Sequence, residues 1–151
     1  MSKEIFDVRP VTLDVINNYH FRTLEKNISI KFDFPDNPCP IYADTNATCQ
    51  ILDNILSNAI KYSQPDSKPI QVSYKRRESY AVIRITDFGI GIPQAELAHI
   101  FEPFYTTKDV GQGTGLGLSV SYGLVRRYGG DITVSSEPGR GTVFEVRLPL
   151  G

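Results

Sequence analysis

Apolar residues recur along this chain in two rhythms, one helical and one alternating. Between Val11 and Lys26 the apolar positions Val11, Val15, Ile16, Tyr19 and Leu24 fit an amphipathic helix opened by Pro10. The following "NISIKFDF" alternates and predicts a strand. After the turn-forming "PDNPCP", helical spacing returns at Ile51, Leu52, Ile55, Leu56, Ala59 and Ile60. It predicts a second helix from Asp44 or Thr45 to Tyr62, capped by a side chain and stopped by Pro65. "IQVSYKRRESYAVIRITD" reads as two alternating strands turning near Arg77 to Ser79. A glycine-punctuated region from Phe88 to Gly117 precedes a further helix that runs to about Tyr128 and ends at Gly129 and Gly130. Two last strands, "DITVSS" and "TVFEVRLPL", are joined by the turn "EPGRG".

Hairpins in place of strict strand–helix alternation argue against a doubly wound nucleotide fold. They predict one α/β domain over residues 1–151, its mostly antiparallel sheet covered on one face by helices. A chain of 151 residues is long enough to bury roughly 70% of its unfolded surface. Sixteen basic and seventeen acidic side chains leave a net charge of −1. That balance supplies no long-range field for nucleic acid or an anionic membrane, so any anion has to be held locally. No apolar run approaches the roughly 20 residues that span a bilayer, and "MSKEIFDVRP" has no signal-peptide core. Cys39 and Cys49 lack zinc-ligand spacing and read as reduced thiols in a cytoplasmic protein.

Three stretches carry candidate chemistry. In "NILSNAIKYS" the residues Asn54, Asn58, Lys61 and Tyr62 share one helix face opposite the packed side. An amide oxygen suits a hard cation, an ammonium suits phosphate, and a ring can cover a base or sugar; a plain wet helix face is the alternative. In "DFGIGIP" the glycines Gly89 and Gly91 allow close approach to a flat ligand. Asp87 can accept from an exocyclic amine there, favouring adenine over guanine; a ligand-free turn is the alternative. "GQGTGLGL" opens a helix with backbone N–H groups suited to phosphate, although it matches neither the P-loop nor the dinucleotide fingerprint, and a hinge would look similar. Between the last two, "IFEPFYTTK" could anchor a loop through Phe101 and Phe104 and reach a phosphate with Lys108.

Taken in order, these stretches resemble the N, G1, F and G2 boxes of the catalytic, ATP-binding domain of sensor histidine kinases, in the superfamily that includes gyrase B, Hsp90 and MutL. The likeness runs from about Phe6 to Leu150. It implies a two-layer α/β sandwich of the Bergerat type, a mixed sheet under helices, with a mobile ATP lid between the F and G2 boxes. It implies Asn58 as the Mg²⁺ ligand, Lys61 on phosphate and Tyr62 near the adenosine. Asp87 would hold the adenine amine, with Gly89, Gly91 and Ile92 shaping the base pocket and Thr142 backing the carboxylate by its hydroxyl. Phe101 and Lys108 would belong to the lid, and Gly113, Thr114, Gly115, Leu116, Gly117 and Leu118 to its phosphate end.

Hydrolytic members of that superfamily carry Glu four residues before the metal-binding Asn, where it activates water. Here the position is Asn54, and an amide is no general base. The reaction implied is therefore γ-phosphoryl transfer from Mg·ATP to an incoming imidazole, with Asn54, Lys61 and Lys108 aligning and neutralising. His20, in "HFRTL", lacks the acidic neighbour and proline of an acceptor motif, and His99 reads as a surface or lid residue. The acceptor histidine is thus expected on a dimerisation domain of the same or a partner kinase, with a response regulator receiving the phosphate afterwards. No nucleic acid and no direct membrane contact is expected. An ATP-driven clamp and a degenerate ATP-binding module are the alternatives.

Overall fold

The computed structural model describes residues 2–102 and 117–151. It opens with β1 (Glu4–Asp7), α1 (Val8–Asn17) and α2 (His20–Lys26), where the sequence pattern predicts one uninterrupted helix. Asp7 ends β1 and caps α1: its carboxylate accepts from the N–H groups of Arg9 at 3.0 Å and Cys39 at 2.9 Å. Pro10 falls in the first turn, where no intrahelical N–H is required. The break at Asn18 and Tyr19 turns the Tyr19 ring into the core, and α2 closes on Asn27 in the left-handed conformation.

The strand β2 (Ile30–Asp33) and the helix α3 (Thr45–Tyr62) lie where the pattern put them. Between them β3 (Pro40–Ala43) pairs antiparallel with β1, a small sheet that the prolines concealed. The Asp44 carboxylate accepts from Ala47 N at 2.9 Å and so starts α3. Ile51, Leu52, Ile55, Leu56, Ala59 and Ile60 are buried along one face of that helix. Truncating any of the larger ones to Ala would cost about 2–5 kcal/mol.

The hairpin of β4 (Ile70–Arg77) and β5 (Tyr80–Asp87) is followed by the short α4 (Gln94–Leu97) and, beyond the undescribed residues, α5 (Gly117–Arg127). The closing hairpin is β6 (Asp131–Glu137) and β7 (Gly141–Pro149). Among the described residues the main sheet runs β2-β4-β5-β7-β6, with β2 parallel to β4 and every other pair antiparallel. The mixed, mostly antiparallel sandwich implied by the sequence is therefore present. Register aligns inward-facing rows, Val72–Ile85–Phe144 and Tyr74–Ile83–Val146, into the surface on which α3 packs. The opposite face carries polar rows such as Ser73–Arg84–Glu145. Among the described residues no helix is long and apolar enough to cross a membrane.

Candidate functional site

Among the described residues, the loop after β5, the start of α5 and the end of α2 meet the C-terminal half of α3. The loop after β5 reaches it first: Ile90 N donates to the Tyr62 carbonyl at 3.2 Å. A Cβ on Gly89 would sit 2.0 Å from that same oxygen. Gly89 is thus required by close approach of the chain to itself, before any ligand is considered. Gly91, with φ +76°, faces the Glu137 carbonyl in the same manner, at 2.2 Å from an added Cβ. The loop is consequently wedged between the end of α3 and the β6–β7 turn, where Gly139 N donates to Ile90 O at 2.7 Å.

Asp87 lies at the root of this loop and is 3% exposed. Burial pushes its carboxyl up to about 6, while hydrogen bonds from the backbone N–H groups of Gly89 and Thr142 draw it back down. The Gly89 bond spans 3.0 Å. At neutral pH the group is still mostly ionised and so able to accept from an amine. Thr142 pairs with Asp87 across the β5–β7 ladder. Its hydroxyl, however, meets Ser136 Oγ at 2.8 Å, and it is the main-chain N–H of Thr142 that supports the carboxylate.

The polar face of α3 presents the next group. Asn58 Nδ2 donates to the Asn54 carbonyl at 2.8 Å, so the amide is oriented by its own helix. Asn54 Nδ2 donates to Gly117 O at 3.0 Å and to Ser121 Oγ at 2.9 Å, which ties α3 to the first turn of α5. Lys61 is exposed and Tyr62 half-buried at the end of the same helix. Ile92 packs against the core from the loop, and Leu118 does so from α5. The Phe101 ring stacks on Tyr122, with centroids 5.1 Å apart. Lys108, Gly113, Thr114, Gly115 and Leu116 lie outside the described residues, as does Phe104.

His20 stands exposed at the first position of α2, edge-on to Phe21, and His99 contacts Glu102 at 3.0 Å. Among the described residues, neither is a partner in the hydrogen bonds given above that join α3, the loop after β5 and α5.

Three supporting side chains were missed in the sequence. Lys26 Nζ donates to the carbonyls of Ile60, Lys61 and Ser63 at 2.8, 3.0 and 2.9 Å, closing the C-terminus of α3. Ser136 Oγ accepts from Ile92 N at 2.7 Å and meets Gly141 O at 2.9 Å, fastening the loop to the last hairpin. Ser121, fully buried, receives the Asn54 amide. The two serines had a readable signal, since each occupies an inward position of an otherwise apolar series: Ile132, Val134 and Ser136 on β6, and Ser121 with Val125 on α5. Lys26 had none, because its acceptors lie more than thirty residues away.

A metal fits the donor set in one particular way. Among the described residues no three His, Cys, Asp or Glu side chains gather to hold a cation. Asn58, its nitrogen directed to the helix backbone, has a neutral oxygen to offer. That suits an ion arriving with phosphates and taking few protein ligands, as Mg²⁺ does.

Residues 43–151 match the family model described as the histidine kinase-, DNA gyrase B- and HSP90-like ATPase. Sporulation kinase E of Bacillus subtilis is 38% identical over 150 residues, covering 99% of this chain and 20% of that protein. The chain therefore spans about one-fifth of the length of that relative. Among solved structures, the catalytic domain of histidine kinase ThkA superposes with a TM-score of 0.88 at 26% identity, covering 99% of both chains. Full-length ShkA in complex with AMPPNP gives a TM-score of 0.88 at 27% identity, over all of this chain and 32% of that one.

Proposed function

Since the chain belongs to the histidine kinase-, DNA gyrase B- and HSP90-like ATPases and is an ATP-binding catalytic domain of the sensor histidine kinase kind, we propose that it aligns Mg·ATP for γ-phosphoryl transfer to a histidine on a separate helical hairpin. The observation that carries this reading is the seating of Gly89 and Ile90 on the Tyr62 carbonyl. It brings the loop rooted at the buried Asp87 alongside the last turn of the helix that bears Asn58 and Lys61.

In this arrangement Asp87 accepts the exocyclic amine of adenine, and Gly89, Gly91 and Ile92 border the base. Thr142 supports Asp87 through its backbone N–H. Asn58 offers its amide oxygen to Mg²⁺, and Lys61 and Lys108 meet phosphate. Mg²⁺, when bound, neutralises phosphate charge and fixes the line of displacement. Asn54, where hydrolytic relatives of the superfamily carry Glu, leaves water without a general base. Tyr62 would cover the sugar or base, and Phe101 would anchor the near end of the lid against Tyr122. The remaining proposed contacts, Gly113, Thr114, Gly115, Leu116, Gly117 and Leu118, would surround the phosphates at the start of α5. The AMPPNP complex of ShkA supports nucleotide binding by this fold.

The receiving histidine would belong to a dimerisation domain, and a response regulator would take the phosphate onward, all on the cytoplasmic side. Calorimetry with ATP and GTP, with and without Mg²⁺, tests the site. Incubation with γ-labelled ATP and a supplied acceptor hairpin then tests the reaction. Acid-labile, base-stable label on the hairpin and none on this chain is expected. Tight ATP binding with no transfer would favour a degenerate binding module, and steady ATP hydrolysis would favour a clamp.

A further inference from the structure

The Asn54 side chain has one nitrogen carrying two hydrogens, and both are engaged by α5. One goes to the Gly117 carbonyl at 3.0 Å and the other to Ser121 Oγ at 2.9 Å. Its donor capacity is then exhausted. What Asn54 retains is an acceptor, Oδ1, at the first turn of α5, 3.6 Å from where a Cβ on Gly117 would stand. Ser121 is fully buried. Asn58, one turn along α3, has its nitrogen tied in a comparable way.

We propose that Ser121 is a positioning residue for the nucleotide site, which with the Gly117 carbonyl fixes the flip of Asn54 so that its oxygen alone is available. This deepens the reading given above and rests on it. An acceptor oxygen would repel a phosphate oxygen, so its fitting partner is a proton-bearing group. A water in the first hydration shell of the nucleotide's Mg²⁺ has that chemistry, and its neighbour would be the cation ligated by Asn58. Without the Ser121 hydroxyl, one amide hydrogen of Asn54 loses its acceptor and the amide is held by the Gly117 carbonyl alone, so its plane and the direction of its oxygen are kept less strictly.

The test measures affinity for ADP and for a non-hydrolysable ATP analogue, each with and without Mg²⁺, in the full chain carrying Ser121→Ala, Ser121→Cys or Ser121→Thr. The hydroxyl is kept only in Ser121→Thr, and Ser121→Cys keeps the site filled should Ser121→Ala fail to fold. The expected result is that Ala and Cys reduce the Mg²⁺-dependent gain in analogue affinity by about 3- to 10-fold, the equivalent of losing one hydrogen bond. Metal-free ADP affinity should change less than about 2-fold on the same scale, and Thr should restore the gain. Equal weakening of metal-free and metal-bound binding, or an undiminished Mg²⁺ gain in both Ala and Cys, overturns the positioning role. Absence of any Mg²⁺-dependent nucleotide binding in the unaltered chain overturns the underlying functional reading, a separate outcome visible before any variant is made.

Discussion

The side-chain nitrogen of Asn58 donates to the main-chain carbonyl of Asn54, 2.8 Å away and one helical turn back. An asparagine bound to its own helix in this way has a preset amide plane, so presenting the oxygen to a cation costs little further ordering.

Asn58→Ala should therefore separate metal from nucleotide. Metal-free ADP binding should stay within about 3-fold of the unaltered protein, while the Mg²⁺-dependent gain and transfer to an acceptor hairpin should fall by at least about 100-fold. Calorimetry with Mg²⁺ titrated against a fixed nucleotide concentration measures the first, and label on the hairpin the second. Retention of the same Mg²⁺ requirement with near-normal transfer would remove Asn58 from the metal.

Most of the framework was legible because it rests on local pattern. Helix α3, both hairpins and α5 follow from spacing, from the Asp44 cap and from the Gly129–Gly130 stop. The failures are instructive in the same terms. Strand β1 has only four residues and pairs with β3, itself hidden behind prolines, so neither had a local period to display. The break at Asn18 and Tyr19 was invisible because Tyr19 suits a helix face until its hydroxyl is seen 2.6 Å from Asp53 on α3. Of the candidate site residues, Asp87, Asn58 and the glycines were picked out by residue type and order. Of the groups that brace the surrounding elements, Ser121 and Ser136 showed only as polar breaks in inward-facing apolar series and Lys26 not at all, because their partners lie far away in sequence.

Two glycine substitutions should have opposite effects. A Cβ at Gly89 meets main-chain atoms, Tyr62 O at 2.0 Å and Ser63 N at 3.0 Å, which cannot swing aside as a side chain would. Gly89→Ala should destabilise by about 1–3 kcal/mol or more. Gly123, inside α5, has nothing within 4 Å of its added Cβ. Gly123→Ala should stabilise by about 0.5–1 kcal/mol through helix propensity. Urea unfolding of both variants checks the contrast, and a neutral Gly89→Ala would contradict the close seating of the loop on α3.

Lys26→Met should loosen the end of α3 without touching its core. The substitution retains much of the aliphatic stem and removes three charge-assisted bonds to Ile60, Lys61 and Ser63. Partial solvent access discounts the effect, leaving about 1–2 kcal/mol. Hydrogen exchange at the Ile90 amide, which bonds the neighbouring Tyr62 carbonyl, should accelerate more than exchange in the middle of β5. Uniform acceleration across the protein would indicate general destabilisation instead.

The Asp87 carboxyl should reveal itself twice, first in nucleotide binding. Asp87→Asn keeps an oxygen for the Gly89 N–H but loses the charged acceptor. Adenine nucleotide affinity should drop by about 10- to 100-fold, and preference over GTP should narrow. The second signature is pH dependence. Burial raises this acid from 3.8 to about 6, so the folded protein binds its proton more tightly than the unfolded chain does. A group shifted in that direction contributes stability that is full below its unfolded value and is lost as pH rises through its folded value. Wild-type stability minus that of Asp87→Asn should therefore decline between about pH 4 and 6, by an amount of order 1–3 kcal/mol, and level off above about pH 7. Chemical denaturation of both proteins across this range measures the difference directly, and a difference that stays flat would mean that Asp87 is not buried as an isolated acid. An adenine amine that donates to the ionised carboxylate favours the charged form and pulls the folded value back down. Repeating the titration with saturating adenosine should consequently flatten the decline in the wild-type difference curve. An unchanged slope despite bound adenosine would place the base away from Asp87.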